Sequence, residues 1–281
     1  MHAAFSQLST QVAAALAEDL GTPARDLTAE LIPAGQQAQA RLIARHPALV
    51  CGTAWADETL RQLDPSLRAQ WFVKDGDWVE ADQPWLEIRG NARAILSAER
   101  TLMNFLQTLS GTATTTLGYR AALGEHDTVL LDTRKTLPGL RLAQKYACQV
   151  GGASNHRLGL YDAFLIKENH IAAHGSITGA VHAALACALD VPIEVEVESM
   201  DELTEALDAG ANWIMLDNFD LAATAAAVKL NQGRARLEAS GNVHLADLAA
   251  LAATGVDAIS VGALTKHLRA TDLSLRVELN Q

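Results

Sequence analysis

Residues 130 to 141 read LLDTRKTLPGLR, an apolar run followed by Asp132, Thr133, Arg134, Lys135 and, beyond a Pro–Gly turn, Arg141. Three cations in so short a stretch of a chain with a formal net charge of −11 ask for a local anionic partner. Comparable polar tails follow other apolar runs. They supply Lys167, Glu168 and Asn169, then Glu196 and Glu198, then Asp217 and Asn218, then Ser240, Gly241 and Asn242, and finally Gly262, while GGASNHR adds His156 and Arg157. Sorted by charge, Arg134, Lys135, His156, Arg157 and Lys167 form a positive wall facing an acidic patch of Glu196 and Asp217. Both signs in one site suggest a multiply anionic substrate carried with a divalent cation. Arginine binds two carboxylate or phosphate oxygens with one planar fork, and lysine acts as a mobile point charge. Carboxylates with bound water suit Mg²⁺, and the tails SGN and VGA could present backbone N–H groups to a phosphate.

Each residue also has a plainer reading. Arg134 and Lys135 could be solvated loop charges, His156 a hydrogen-bonded structural residue, and Ser240 and Asn242 helix caps. Lys167 directly behind an apolar strand is harder to dismiss, because a lysine at a barrel mouth is costly unless paired. Glu194, Glu196 and Glu198 share one strand face by the period of two. If that face is a barrel interior, the three carboxylates need cations or a metal.

The elements that must position these residues follow from the runs VLLDTRK, AFLIKEN, IEVEVES, WIMLDNF, LEASGN and AISVGALTK, each read as a strand with a polar or glycine tail. Helical segments such as SMDELTEALDAGA and VHLADLAALAATGV lie between most of them and close near glycine. Such alternation implies parallel strands with helical crossovers, and the short repeat favours a (β/α) barrel with its chemistry at the C-terminal strand ends. No G-x-G-x-x-G follows a strand. Before about residue 112 the pattern is that of a separate α+β module, with strands and turns in AQARLIARHPALVCG and AQWFVKDGDWVEADQPWLEIRG and a helix in AERTLMNFLQTLSG. KDGDWVEADQPWLEIRG is similar to the hammerhead of biotinyl and lipoyl carriers. The turn after it, Arg89 to Arg93, has no lysine to modify, which argues against a carrier role.

Length and composition set the outer bounds. The 281 residues suffice for one barrel-sized domain or two smaller ones, and 49% hydrophobic with 20% charged residues is ordinary for a globular protein. The acidic balance argues against a large nucleic-acid or anionic-membrane surface. Cys51, Cys148 and Cys187 form no C-x-x-C pair, so neither a disulfide framework nor a zinc knuckle is expected, and a reducing cytoplasm fits. The N-terminal MHAAFSQLSTQVAAALAEDLG reads as an amphipathic helix, and no stretch reaches the roughly 18 apolar residues of a membrane span.

Taken in order, AERTLMNFLQTLSGTAT, DTRKTLPGLR, KYACQVGGASNHRLGLYDAFLIKENHI, EVEVES, IMLDNF, EASGNV and ISVGALTKH resemble the quinolinate phosphoribosyltransferase family, over nearly the whole chain. The resemblance implies transfer of a phosphoribosyl group from phosphoribosyl pyrophosphate to quinolinate with decarboxylation and Mg²⁺, giving nicotinate mononucleotide, pyrophosphate and CO₂ on the de novo route to NAD. It also implies an N-terminal α/β sandwich domain over residues 1–112 and an open (β/α) barrel of about seven strands over 113–267, with the tail 268–281 returning to the first domain. By the same resemblance Arg134, His156, Arg157 and Lys167 hold quinolinate, with Thr133 and Lys135 nearby. Glu196 and Asp217 serve the ribose and the metal, and Lys135, Lys167, Glu196 and Asp217 are the catalytic set. Ser240, Gly241 and Asn242, with Val261, Gly262 and Ala263, bind phosphate, and Arg100 reaches into the neighbouring site of a homodimer. Two rivals remain at this stage: a paralogue of the same fold, such as a molybdenum-linked relative or a binding module, and a Schiff-base aldolase using Lys167.

Overall fold

The computed structural model describes residues 3–279. The chain divides into two compact units, the first holding the chain up to Leu117, Thr136–Gly151 and everything from Thr265 on, the second Gly118–Lys135 and Gly152–Leu264. Met1 and His2, the start of the expected N-terminal helix, and the last two residues of the tail lie outside the described residues.

The first unit begins with α1 (Leu8–Leu20), whose Val12 and Leu16, one turn apart, are both buried. There follow β1 (Gln37–Ala44), β2 (Ala48–Leu49), α2 (Thr53–Leu63), β3 (Arg68–Trp71), β4 (Trp78–Val79), β5 (Pro84–Asn91), α3 (Ala92–Ala122) and, later in the chain, α4 (Arg141–Val150). Ala38, Ala40, Leu42 and Ala44 take every second place on β1 and are buried, as the strand period requires. They share a core with Ile95, Ala98, Leu102 and Leu106, spaced at three and four along α3. Asp75 accepts the backbone N–H groups of Gly52 (3.1 Å) and Thr53 (3.0 Å), satisfying donors that the start of α2 leaves open.

The second unit holds β6 (Val129–Leu131), β7 (Phe164–Ile166), β8 (Ile193–Val197), β9 (Trp213–Asp217), β10 (Arg236–Ser240) and β11 (Ala258–Ser260) in the order β6-β11-β10-β9-β8-β7. Every pairing is parallel, so each connection must cross the sheet. The crossovers carry α5 (Glu168–His174), α6 (Ile177–Ala186), α7 (Met200–Asp208), α8 (Leu221–Asn231) and α9 (Leu248–Ala252), with the short α10 (Ala263–Lys266) after β11. Ser176, Ser199 and Asp220 cap α6, α7 and α8 through their side-chain oxygens. Six strands stand where about seven were expected. Beside β6 there is in addition a single bridge, Leu131 to Ser154, flanked by Ser154 N–H to Leu130 O at 2.8 Å.

After α10 the chain forms β12 (Leu273–Leu279), antiparallel to β1 in a four-stranded sheet of order β12-β1-β5-β3. Among the described residues no helix is long and apolar enough to cross a membrane.

Candidate active site

All six expected strand tails fall at C-terminal strand ends of the second unit. Behind β6, Arg134 has a buried Nε with no hydrogen-bond partner among the described residues. Burial, and after it the neighbouring charge of Arg134, hold the Arg157 guanidinium below its usual range. The carboxylates of Glu194 and Asp162 act on Arg157 in the opposite direction, so the open donor of this pair is the Nε of Arg134. Lys135 is exposed, its N–H donates to Thr133 Oγ1 at 3.1 Å, and its side chain crosses Gly262 so closely that a Cβ there would come within 2.8 Å of Lys135 Cδ. The glycine of the VGA loop therefore makes room for the lysine.

The loop bearing His156 and Arg157 is pinned from both sides. Asp132, fully buried, accepts from His156 N–H at 3.0 Å and Asn155 Nδ2 at 2.6 Å. Asp162 accepts the N–H groups of Leu158 (2.6 Å) and Gly159 (2.9 Å), and Arg157 Nη1 donates to Ala163 O at 3.3 Å. His156 differs from its expected part in the positive wall. Its Nδ1 accepts the N–H of Arg157 at 2.8 Å, so the ring proton sits on Nε2 and the imidazole is neutral. Nε2 faces inward, 2.8 Å from Glu194 Oε2 and 3.7 Å from Glu238 Oε2. Burial pushes Glu194 up to about 7, and burial with the Glu194 charge pushes Glu238 up to about 8.

Glu194 and Glu196 do face the interior, while Glu198 lies exposed beyond β8. Glu196 answers its burial by pairing with Lys167 Nζ. The same pair engages the nitrogen that Schiff-base chemistry would need free. Across the sheet Asp217 is half-buried and accepts from Asn218 Nδ2 at 2.7 Å. Gly241 has φ 96°, and a Cβ there would overlap Asn218 Oδ1, so glycine alone allows these two tails to meet. Ser240 and Asn242 cap no helix, since the next turns start from His244 and Asp247. Instead they line, with Asp220, Gly241 and Val243, a cavity of about 460 Å³. Glu196 and Asp217 offer only oxygen, the donor type of a hard cation, and the Glu196 carboxylate is engaged by Lys167.

Arg100 lies in the first unit, exposed on α3, in a separate cavity of about 650 Å³ lined also by Gln11, Phe105, Gly139 and Leu140. The sequence reading passed over Glu238, Trp213 and Asp162. Glu238 was within reach, because it stands two places before Ser240 on the same face of β10.

A parallel α/β sheet with a buried open arginine donor at one set of strand ends and acidic and glycine-opened tails at the others defines an α/β-barrel enzyme for a polyanionic substrate. Within that class the chain belongs to the quinolinate phosphoribosyl transferase family, whose N-terminal domain model matches residues 26–110 and whose C-terminal domain model matches residues 112–276. It is 40% identical over 279 residues to the nicotinate-nucleotide pyrophosphorylase [carboxylating] of Mycobacterium leprae, covering 96% of this chain and 97% of that one. To the probable nicotinate-nucleotide pyrophosphorylase [carboxylating] of Bacillus subtilis it is 41% identical over 264 residues, covering 94% and 91%. The solved nicotinate-nucleotide pyrophosphorylase of Francisella tularensis superimposes with a TM-score of 0.93 at 46% identity, covering 97% of this chain and 96% of that one.

Proposed function

We infer that this chain transfers the phosphoribosyl group of phosphoribosyl pyrophosphate to quinolinate and releases pyrophosphate and CO₂, giving nicotinate mononucleotide for NAD synthesis. The observation that carries the reading is the open donor at the strand ends: Arg134 keeps a buried Nε without a hydrogen-bond partner among the described residues, and its charge bears on the guanidinium of Arg157. Quinolinate brings two adjacent carboxylates to such a place. In this reading Arg134 and Arg157 take those carboxylates, with Lys135 and Lys167 completing the charge and Thr133 ordering the Lys135 backbone. His156 backs Arg157 as a neutral ring.

The reaction needs the pyridine nitrogen in line with the anomeric carbon of the ribose. Its lone pair forms the new C–N bond as the C–O bond to pyrophosphate breaks, through an oxocarbenium-like state. The ring nitrogen is then cationic, so the electron pair left at the adjacent carbon when CO₂ departs is stabilised, and that carbon takes up a proton. The protein's part is to hold both anions in position and to neutralise them. Ser240, Gly241 and Asn242, and Val261, Gly262 and Ala263, would receive phosphate groups through backbone N–H donors. Glu196 and Asp217 would hold Mg²⁺, which supplies charge stabilisation for the departing pyrophosphate. Arg100 is assigned to the neighbouring site of a homodimer, and the cytoplasm to the protein's location.

The test is release of CO₂ from carboxyl-labelled quinolinate, expected only when phosphoribosyl pyrophosphate and Mg²⁺ are both present. Nicotinic acid should not be used, since a pocket for two carboxylates would keep unpaired charge with one missing. Comparable turnover of nicotinic acid, or release without the cosubstrate, would sink the reading.

A further inference from the structure

Inside the second unit, His156, Glu194 and Glu238 bring their ligand atoms within 4.8 Å of one another. All three are buried, at 6%, 1% and 0% exposure. Two chemistries suit such a group, a metal centre or a hydrogen-bonding floor, and His156 decides between them. A metal-bound imidazole donates its second N–H to an outer partner. Here the second nitrogen, Nδ1, accepts from the Arg157 N–H, so a metal on Nε2 would require a ring with no proton at all. The ring keeps its proton on Nε2, which lies beside the Glu194 and Glu238 carboxyl groups, at 2.8 and 3.7 Å, without a well-aligned hydrogen bond to either.

Glu238 joins this ring to a second one. Trp213 Nε1 donates to Glu238 Oε2 at 3.2 Å, the Trp213 and His156 rings pack with centroids 5.5 Å apart, and Arg236 covers Trp213 with Cζ 4.7 Å from the ring centroid. We propose that Glu238 is a positioning residue for the reaction: by holding Trp213, whose ring packs on the His156 imidazole, it fixes the imidazole that accepts the Arg157 N–H and so sets where the Arg157 guanidinium stands. The proposal rests on the reading of Arg157 as a quinolinate contact.

The test compares Glu238→Leu with Glu238→Gln by steady-state kinetics and by ¹⁵N NMR of the His156 ring. Leucine removes the acceptor, and KM for quinolinate should rise about tenfold, the loss of one hydrogen bond among buried groups, with KM for phosphoribosyl pyrophosphate nearly unchanged. Glutamine keeps an acceptor and should restore most of that loss. The ring should be protonated at Nε2 alone in the parent and the glutamine variant, and lose that single tautomer in the leucine variant. A merely structural role would lower stability and raise both KM values alike, and would leave the tautomer alone. Trp213→Phe removes only the N–H tie and should shift KM and tautomer in the same direction, which keeps the test open should the leucine variant fail to fold. Unchanged quinolinate KM and ring tautomer in the foldable variants would overturn the proposal, as would stoichiometric zinc retained by the parent and lost from Glu238→Gln. If Arg157→Ala leaves the quinolinate KM unaltered, the reading of the site fails instead, and the ring tautomer in Glu238→Leu still decides the positioning.

Discussion

In the first unit Arg25, Arg41, Arg61 and Arg89 come with carboxylates. Arg41 and Arg89 both reach the nearly buried Glu87, at 3.4 and 2.6 Å, Arg25 pairs with Glu30 at 2.7 Å, and Arg61 binds both oxygens of Glu58 at 2.6 Å and holds that carboxyl down at about 2. At the strand ends of the second unit Arg134 keeps an open buried donor, and Arg157 feels the like charge of Arg134 as well as the carboxylates of Glu194 and Asp162. The difference does not belong to the whole unit, because Arg234, away from those ends, pairs with Asp208 at 2.8 Å. An acidic chain has carboxylates enough to neutralise every guanidinium. Where one is left open, the missing anion has to come from outside. Each unit charge met at 4 Å gains roughly 4 kcal/mol at an effective dielectric of about 20, before desolvation is counted.

That contrast can be broken most directly at Arg157. Arg157→Ala should lower kcat/KM for quinolinate by about a thousandfold, in the range found when one partner of a buried charge pair is removed, with circular dichroism unchanged. Near-normal kinetics would return Arg157 to the company of the surface arginines.

Arg100 sharpens the comparison, being an arginine of the first unit assigned to a second-unit site. Arg100→Ala and Lys135→Ala should each be nearly inactive. Re-association of equal amounts should place about half the dimers in hybrid form and recover roughly a quarter of parental activity. Hybrids shown by mass but lacking activity would exclude a shared site.

The acidic floor predicts a pH effect of opposite cause. Glu238, facing Glu194 from β8 and His156, has a folded value of about 8 against roughly 4.3 for a free glutamate. The native state therefore keeps a proton that the unfolded chain gives up. This contribution to stability is fully present below about pH 4 and is lost as pH rises through about 8. Urea unfolding of the parent between pH 5 and 8 should show stability falling with pH, and Glu238→Gln should flatten that slope. An equal slope in both proteins would show that the carboxyl ionises without cost in the fold.

The smallest effect is expected at a paired arginine. Arg41 is half-exposed on its carboxylate, so Arg41→Ala should leave the kinetics unchanged and shift the melting temperature by no more than about 2 °C. A large loss of activity would remove the distinction between the two sets of arginines.

Much of this was legible from sequence. Apolar runs with polar tails located all six barrel strands and their C-terminal ends, because strand burial, helix periodicity and glycine stops are local properties. Residues such as Arg134, Lys167, Asp217 and Gly241 could be named because each lies next to its own strand. The family resemblance was likewise carried by the quoted motifs in their order along the chain. Tertiary structure decided what depends on residues distant in the chain. It set Lys167 against Glu196, laid Lys135 across Gly262, and turned the interior faces of β8 and β10 toward a loop that precedes both, so that Glu194, Glu238 and His156 converge. The charge of His156 was likewise beyond the sequence, since it is settled by one backbone N–H, that of Arg157, directed at Nδ1. Period and composition specify which side chains leave a strand together; only the pairing and register of the folded sheet specify which of them meet.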